Sequence, residues 1–287
     1  MSKAISLPTI NAGIRFKFIL VIIFTFTFSL FTSMLCSAQD YYTPAQKPPP
    51  HPKAAAHKPF NDSLRQKPFF FALNAGVSFP ILDFGAKDTT GNFMVLTNNN
   101  STDAKGYATI GFHINAKGGY YLTPNFGLLA KVGLNHYGFD ASSFNTTING
   151  YYYYIITGSY NVWQLMGGGF ATMPVNSSLS LRGEIMVGGI ISNFPDFSAD
   201  IGGVETFSGS LAPAHDFAYS FSGGIEQVIN ETVSFTSSLS YTGALLSYPT
   251  SNYTLTSGTA SKSFYQNYPI FMKYGSIDLS IGLLFHL

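Results

Sequence analysis

The chain has 287 residues and a formal net charge of +1, room for one large domain or two small ones. Charged residues are only 10% of it, against roughly 25% in soluble domains, while aromatics reach 16%. There is no basic or acidic block to engage nucleic acid, and the one cysteine, Cys36, excludes a disulfide framework and a thiolate metal site. In chain order, Lys3, Arg15 and Lys17 precede an apolar run from Phe18 to Phe31, and Cys36-Ser37-Ala38 places small residues where a signal peptidase reads. This spells a cleaved leader over 1–38. The competing readings are a membrane-spanning anchor and lipidation at Cys36; the bulky Leu35 argues against lipidation.

Residues 39–68 turn to Pro, Lys, Ala and His around Pro48-Pro49-Pro50 and Pro52, a composition that cannot bury a core. They read as a disordered tether, with a peptide ligand for a partner as the sharper alternative.

From Phe69 onward apolar residues recur at every second position. The runs fall at about 69–84, 106–122, 125–140, 161–175, 179–194, 215–229, 233–248 and 274–287, which makes eight strands. Ile110, Phe112, Ile114, Ala116, Tyr120 and Leu122 share one face of the second run; Leu179, Leu181, Ile185, Val187 and Ile191 share one of the fifth. The fourth matches least, with Trp163, Leu165, Ala171 and Met173 opposed by Met166 and Phe170. In the last, Leu279, Ile281, Leu283, Phe285 and Leu287 line one side. The connections alternate: tight turns at Thr123-Pro124-Asn125, Asn176-Ser177-Ser178 and Asn230-Glu231-Thr232, and long polar links over 85–105, 141–160, 195–214 and 249–273.

Short turns at one rim and long loops at the other are the asymmetry of bacterial outer-membrane barrels. The opposite faces of the strands are mostly Gly, Ser, Thr and Ala, with charges at Lys117, Lys131, Arg182, Glu184, Glu226 and Asp278. Six charges that cancel are too few to solvate the outside of a soluble, lipocalin-like barrel, yet they suit a narrow lumen in which they pair. The reading is therefore an all-β, eight-stranded antiparallel up-and-down transmembrane barrel over 69–287, its apolar face toward lipid and the tether in the periplasm. Gly118-Gly119, Gly167-Gly168-Gly169, Gly188-Gly189 and Gly223-Gly224 sit inside strands, where they relieve coiling and leave space for long lumenal side chains. None leads into a helix, so no nucleotide or other cofactor is expected.

On the Ser37-Ala38-Gln39 exit, the eight runs and the ending I-D-L-S-I-G-L-L-F-H-L, the chain resembles the small outer-membrane barrels of the OmpA and OmpX type, particularly those of Bacteroidetes. The resemblance implies export across the cell envelope. It also implies that Leu279, Ile281, Leu283, Phe285 and Leu287 are a signal for the barrel-assembly machinery, although Leu287 stands where an aromatic is usual.

Chemistry is thin. His215 and Asp216, at a loop end, are neighbours in a strand and point to opposite faces, so they do not make a catalytic pair. His136, Asp140 and Asp83 offer no more, and His113, His136 and His286 lack metal-ligand spacing. Tyr151, Tyr152, Tyr153, Tyr154, Tyr160 and Trp163 form either an aromatic girdle at the outer interface or a surface patch for a partner. The expected role is non-enzymatic, structural or interactive, through four long loops. A narrow porin-like channel, an outer-membrane enzyme and a secreted soluble β-sandwich are the alternatives.

Overall fold

A computed structural model describes residues 67–87, 105–141, 146–148, 151–201, 205–257, 259–266 and 269–287. The leader, all but the end of the tether and most of the first long link lie outside the described residues. Eight strands close into a barrel: β1 (Phe69–Ile81), β2 (Ala108–Tyr121), β3 (Phe126–Phe139), β6 (Tyr160–Pro174), β7 (Leu179–Asn193), β10 (Ala214–Val228), β11 (Val233–Tyr248) and β14 (Ile270–His286). Each pairs antiparallel with its neighbours, and β1 closes on β14 over a register running from Phe70 opposite His286 to Ile81 opposite Gly275.

The three tight turns are held in one way. Asn176 Oδ1 accepts from the amides of Ser178 (2.9 Å) and Leu179 (2.8 Å), and Asn230 Oδ1 from those of Thr232 and Val233 (2.9 Å each). Thr123 Oγ1 does the same for Asn125 and Phe126, at 3.4 and 3.1 Å. A short polar side chain that caps the amides two and three residues on replaces the hydrogen bonds the ladder loses at its end.

The long links depart from the expectation of irregular loops. Three carry a hairpin each: β4 (Thr146–Ile148) with β5 (Tyr151–Thr157), β8 (Phe197–Ile201) with β9 (Glu205–Leu211), and β12 (Ser251–Ser257) with β13 (Ala260–Gln266). They join into a second, six-stranded sheet in the order β13-β12-β9-β8-β5-β4. The first run also stops earlier than the sequence suggests, because Leu82–Gly85 form a single helical turn, α1, that folds over the long-loop rim.

The barrel is inside-out relative to a soluble one. Leu165 is 69% exposed, Phe217 67%, Ile110 64% and Ile281 59%, and the outward apolar row continues on every barrel strand. Lys117, Lys131, Arg182, Glu184, Glu226 and Asp278 are all buried inside. On β6 the ambiguous faces resolve: Trp163, Leu165 and Met173 look out, whereas Met166 and Phe170 look in. The glycine clusters divide between the faces. A Cβ on Gly119 would stand 2.2 Å from the Phe70 ring and one on Gly127 2.4 Å from the Phe170 ring, so these two make room for lumenal aromatics. Gly118, Gly189 and Gly223 look onto open space.

Candidate functional site

Among the described residues, the barrel interior brings the largest set of chemistry-bearing side chains together, and it is layered. Nearest the short turns, β7 offers Arg182 and Glu184 on one face because they are two residues apart. Glu184 is the hub: it accepts from Lys117 Nζ of β2 at 2.6 Å, from Arg182 Nε at 2.9 Å and from Ser222 Oγ of β10 at 2.9 Å. Arg182 reaches Glu226 at 3.5 Å, and Glu226 meets His286 Nε2 at 3.2 Å. The guanidinium is clamped between the Phe70 and Phe170 rings, 4.4 and 4.2 Å from their centroids. Out of water such stacking contributes about 2 kcal/mol or more, which offsets part of the cost of burying the cation.

The middle layer gathers around Asn135 of β3. Its Nδ2, with two hydrogens to give, lies within hydrogen-bond distance of Ser78 Oγ (3.1 Å), Tyr137 Oη (3.0 Å) and Asp278 Oδ1 (3.1 Å), and its Oδ1 accepts from Gln164 at 3.3 Å. Asp278 also accepts from Ser276 Oγ at 2.5 Å, and Ser276 in turn accepts from Tyr137 Oη at 2.7 Å. His113 lies between Ser78 Oγ (3.0 Å) and Ser280 Oγ (2.8 Å). A Ser-His-Ser string beside a carboxylate invites comparison with a nucleophilic triad. Both ring nitrogens are engaged by hydroxyls, however, and all three residues are buried. Lys131 shares this level, in the field of Lys117, Asp278 and Glu184.

The third layer, at the long-loop rim, is aromatic. Phe84 of α1 is fully buried against Tyr137, Tyr160 and Tyr274, and Tyr160 leads on through Phe194 to Tyr248. Tyr160 thus departs from the girdle expectation: it begins β6 on the inward face, and its hydroxyl donates to the carbonyl of Gly106 at 2.8 Å. Trp163 looks outward near the same rim, and the side chains of Tyr151, Tyr152, Tyr153 and Tyr154 lie outside the described residues. Beside the first layer lies a cavity of about 20 Å³, lined by Phe70, Asn74, Lys117, Arg182, Glu184 and their neighbours; that is space for one water molecule.

The remaining candidates disperse. His215 is exposed, while Asp216 faces inward and accepts from the Ser247 amide at 2.7 Å. His136 pairs outward with Asn161 at 2.8 Å, Asp140 pairs with Lys87, and Asp83 pairs with Lys105 at 2.5 Å. No group of three metal-ligating side chains occurs among the described residues. Asn135, Ser276 and Phe84 went unassigned in the sequence. Their polarity or bulk is visible there, but the barrel closure that sets β3 across the lumen from β14, 143 residues away, is not.

No family model matches this sequence, and no curated protein matches it. Solved structures do. Neisserial surface protein A is similar at 11% identity and a TM-score of 0.39, over 76% of this chain and 97% of that one. The attachment invasion locus protein of Yersinia pestis is similar at 14% and 0.36, over 76% and 99%. A major outer membrane protein from Thermus thermophilus is similar at 8% and 0.41, over 76% and 98%. At such values none of them assigns a role, and the closed eight-stranded barrel rests on this chain's own strand pairing.

Proposed function

We propose that this chain is a non-enzymatic protein of a Gram-negative outer membrane: a closed barrel that carries the six-stranded hairpin sheet on its extracellular side as a surface for interaction. The observation that carries this reading is the apolar outer wall. On β14 the outward row from Ile277 to Leu283 continues through Phe285, and β1, β2, β6, β7 and β10 present equivalent rows. A lipid-facing band about 25 Å tall takes about ten residues per strand, at about 3.4 Å each and a tilt of about 40°, and the barrel strands, from 13 residues in β1 to 17 in β14, are long enough to cross it. In water, an apolar patch around the whole circumference would exceed by far the few hundred Å² that a monomer tolerates. The short-turn rim, where Lys67 Nζ donates to the carbonyl of His286 at 3.3 Å, then faces the periplasm. The tether over 39–68 follows the leader there, available to a periplasmic partner, and the outward row of β14 is what the barrel-assembly machinery engages.

The direct test is the folded protein in detergent on a gel, with and without boiling, together with fractionation of the envelope. A heat-modifiable species in the outer-membrane fraction is expected; a protein that folds in buffer without detergent overturns the reading. The packed lumen adds a second expectation. Planar bilayers containing the protein show no steady conductance, and uniform open steps would instead support the channel. Trp163, the single tryptophan, supplies a third. Its emission in vesicles is quenched by brominated acyl chains and shielded from aqueous iodide, and the reverse pattern would place it in water.

A further inference from the structure

Phe84 reaches the barrel's interior in an unusual way. Tyr137, Tyr160 and Tyr274, which surround it, come from the wall strands β3, β6 and β14, and their centroids lie 5.0, 4.8 and 4.8 Å from its own. The phenyl ring itself arrives from α1, one turn of four residues on the rim. The excursion from the wall is bracketed by two non-glycine residues in the left-handed region, Leu82 (φ 57°) where the chain leaves and Tyr107 (φ 53°) where it returns. Such backbone persists only where its surroundings impose it. Here the surroundings are two backbone hydrogen bonds, from Gly106 N to the Asp83 carbonyl (2.8 Å) and from Tyr107 N to that of Ala86 (3.1 Å), and a set of ion pairs: Asp83 meets Lys105 at 2.5 Å and Lys273 at 3.7 Å, and Lys87 meets Asp140. Lys87 and Lys273 have about half or more of their side chains in solvent, where ion pairs are weak and screened by salt.

A ring carried on a rim turn, held by two backbone hydrogen bonds and by ion pairs, can leave without breaking the barrel ladder, as a strand-borne core residue cannot. What it occupies is a rigid cage of three tyrosine rings. The Tyr137 and Tyr274 hydroxyls bond each other at 3.0 Å, and the Tyr160 hydroxyl is bound to Gly106, so an occupant need satisfy no polar group. We propose that this cage is a binding site for an uncharged monocyclic aromatic compound arriving from the long-loop side, and that Phe84 is the chain's own occupant, displaced when the ligand enters. The edge-to-face packing that now holds Phe84 would hold any ring of that size. An apolar cavity of phenyl dimensions binds benzene-like molecules when vacated.

Fluorobenzene is the probe, followed by its ¹⁹F resonance and by the thermal midpoint of the detergent-folded protein. Phe84→Ala is expected to show a saturable bound resonance, distinct from the micelle-partitioned signal, and a raised midpoint. Asp83→Asn keeps Phe84 and weakens only its fastening, so it is expected to bind the probe about two- to fivefold more tightly than wild type, which partitions its cage between the two rings. The proposal is overturned if folded Phe84→Ala binds no probe. It is equally overturned if Asp83→Asn and wild type bind alike, a comparison that stands even if Phe84→Ala does not fold.

Discussion

Replacing Glu184 by alanine is expected to destabilise the barrel by about 3–5 kcal/mol, the range for removing one partner of a buried ion pair. The carboxylate satisfies Lys117, Arg182 and Ser222 at once, and its side chain is only 5% exposed. Arg182 keeps Glu226 and its two aromatic faces, but Lys117, its side chain 10% exposed, loses its ion-pair partner. The cost is therefore the desolvation of a stranded ammonium rather than the worth of one contact. Urea titration of the protein folded into vesicles, scored by the fraction that resists boiling-dependent migration, measures it. Two further variants separate charge from packing. Glu184→Gln keeps the volume and part of the hydrogen bonding, so it should lose less. The pair Lys117→Met with Glu184→Leu removes both charges, and it should be more stable than either single change, since an apolar pair of similar volume avoids the desolvation that the ion pair must overcome. A midpoint unmoved by Glu184→Ala would mean that water reaches these charges and that the lumen is open.

That hub also shows where the sequence stops speaking. Alternation placed Lys117, Arg182, Glu184 and Glu226 on faces opposite to the apolar rows, because the side-chain period of a strand is two and every row keeps its phase. Which of those charges meet is decided by register around a closed barrel, and no local pattern carries that: Lys117 and Glu184 are 67 residues apart. The tight turns were legible because Asn176, Asn230 and Thr123 each cap their own neighbourhood. The hairpin sheet was not. Its strands are only three to seven residues long, and β5 reads Y-Y-Y-Y-I-I-T, which carries no period of two. Phe84 extended the apolar run of β1 in the sequence, and it took a left-handed Leu82 to turn it off the wall and into the mouth. Tyr160 was misplaced for a related reason: a tyrosine beside a loop suits a membrane interface and a lumen equally well, and only the phase of β6 decides.

The outer wall yields the second large effect, and it is the one that separates a lipid-facing surface from a watery one. Ile185 stands midway along β7, 61% exposed, with Phe221 of β10 and Gly169 of β6 beside it. On a soluble protein, exchanging so exposed an isoleucine for lysine would move stability by no more than about 0.5 kcal/mol in either direction. Against hydrocarbon, Ile185→Lys is expected to cost about 2–4 kcal/mol, because the ammonium must be dragged toward an interface or carry water with it. Depth makes the test specific. Ile229 is equally exposed at 60%, but it adjoins the Asn230 turn at the short-turn rim, and Ile229→Lys should cost no more than about 1 kcal/mol there. The same unfolding titration in vesicles reads both. A cost that is large at mid-wall and small at the rim is a profile that only a bilayer imposes. A flat profile near zero would put water against Leu165, Ile185 and Phe217, and the closed barrel would then need another partner to cover its outer wall.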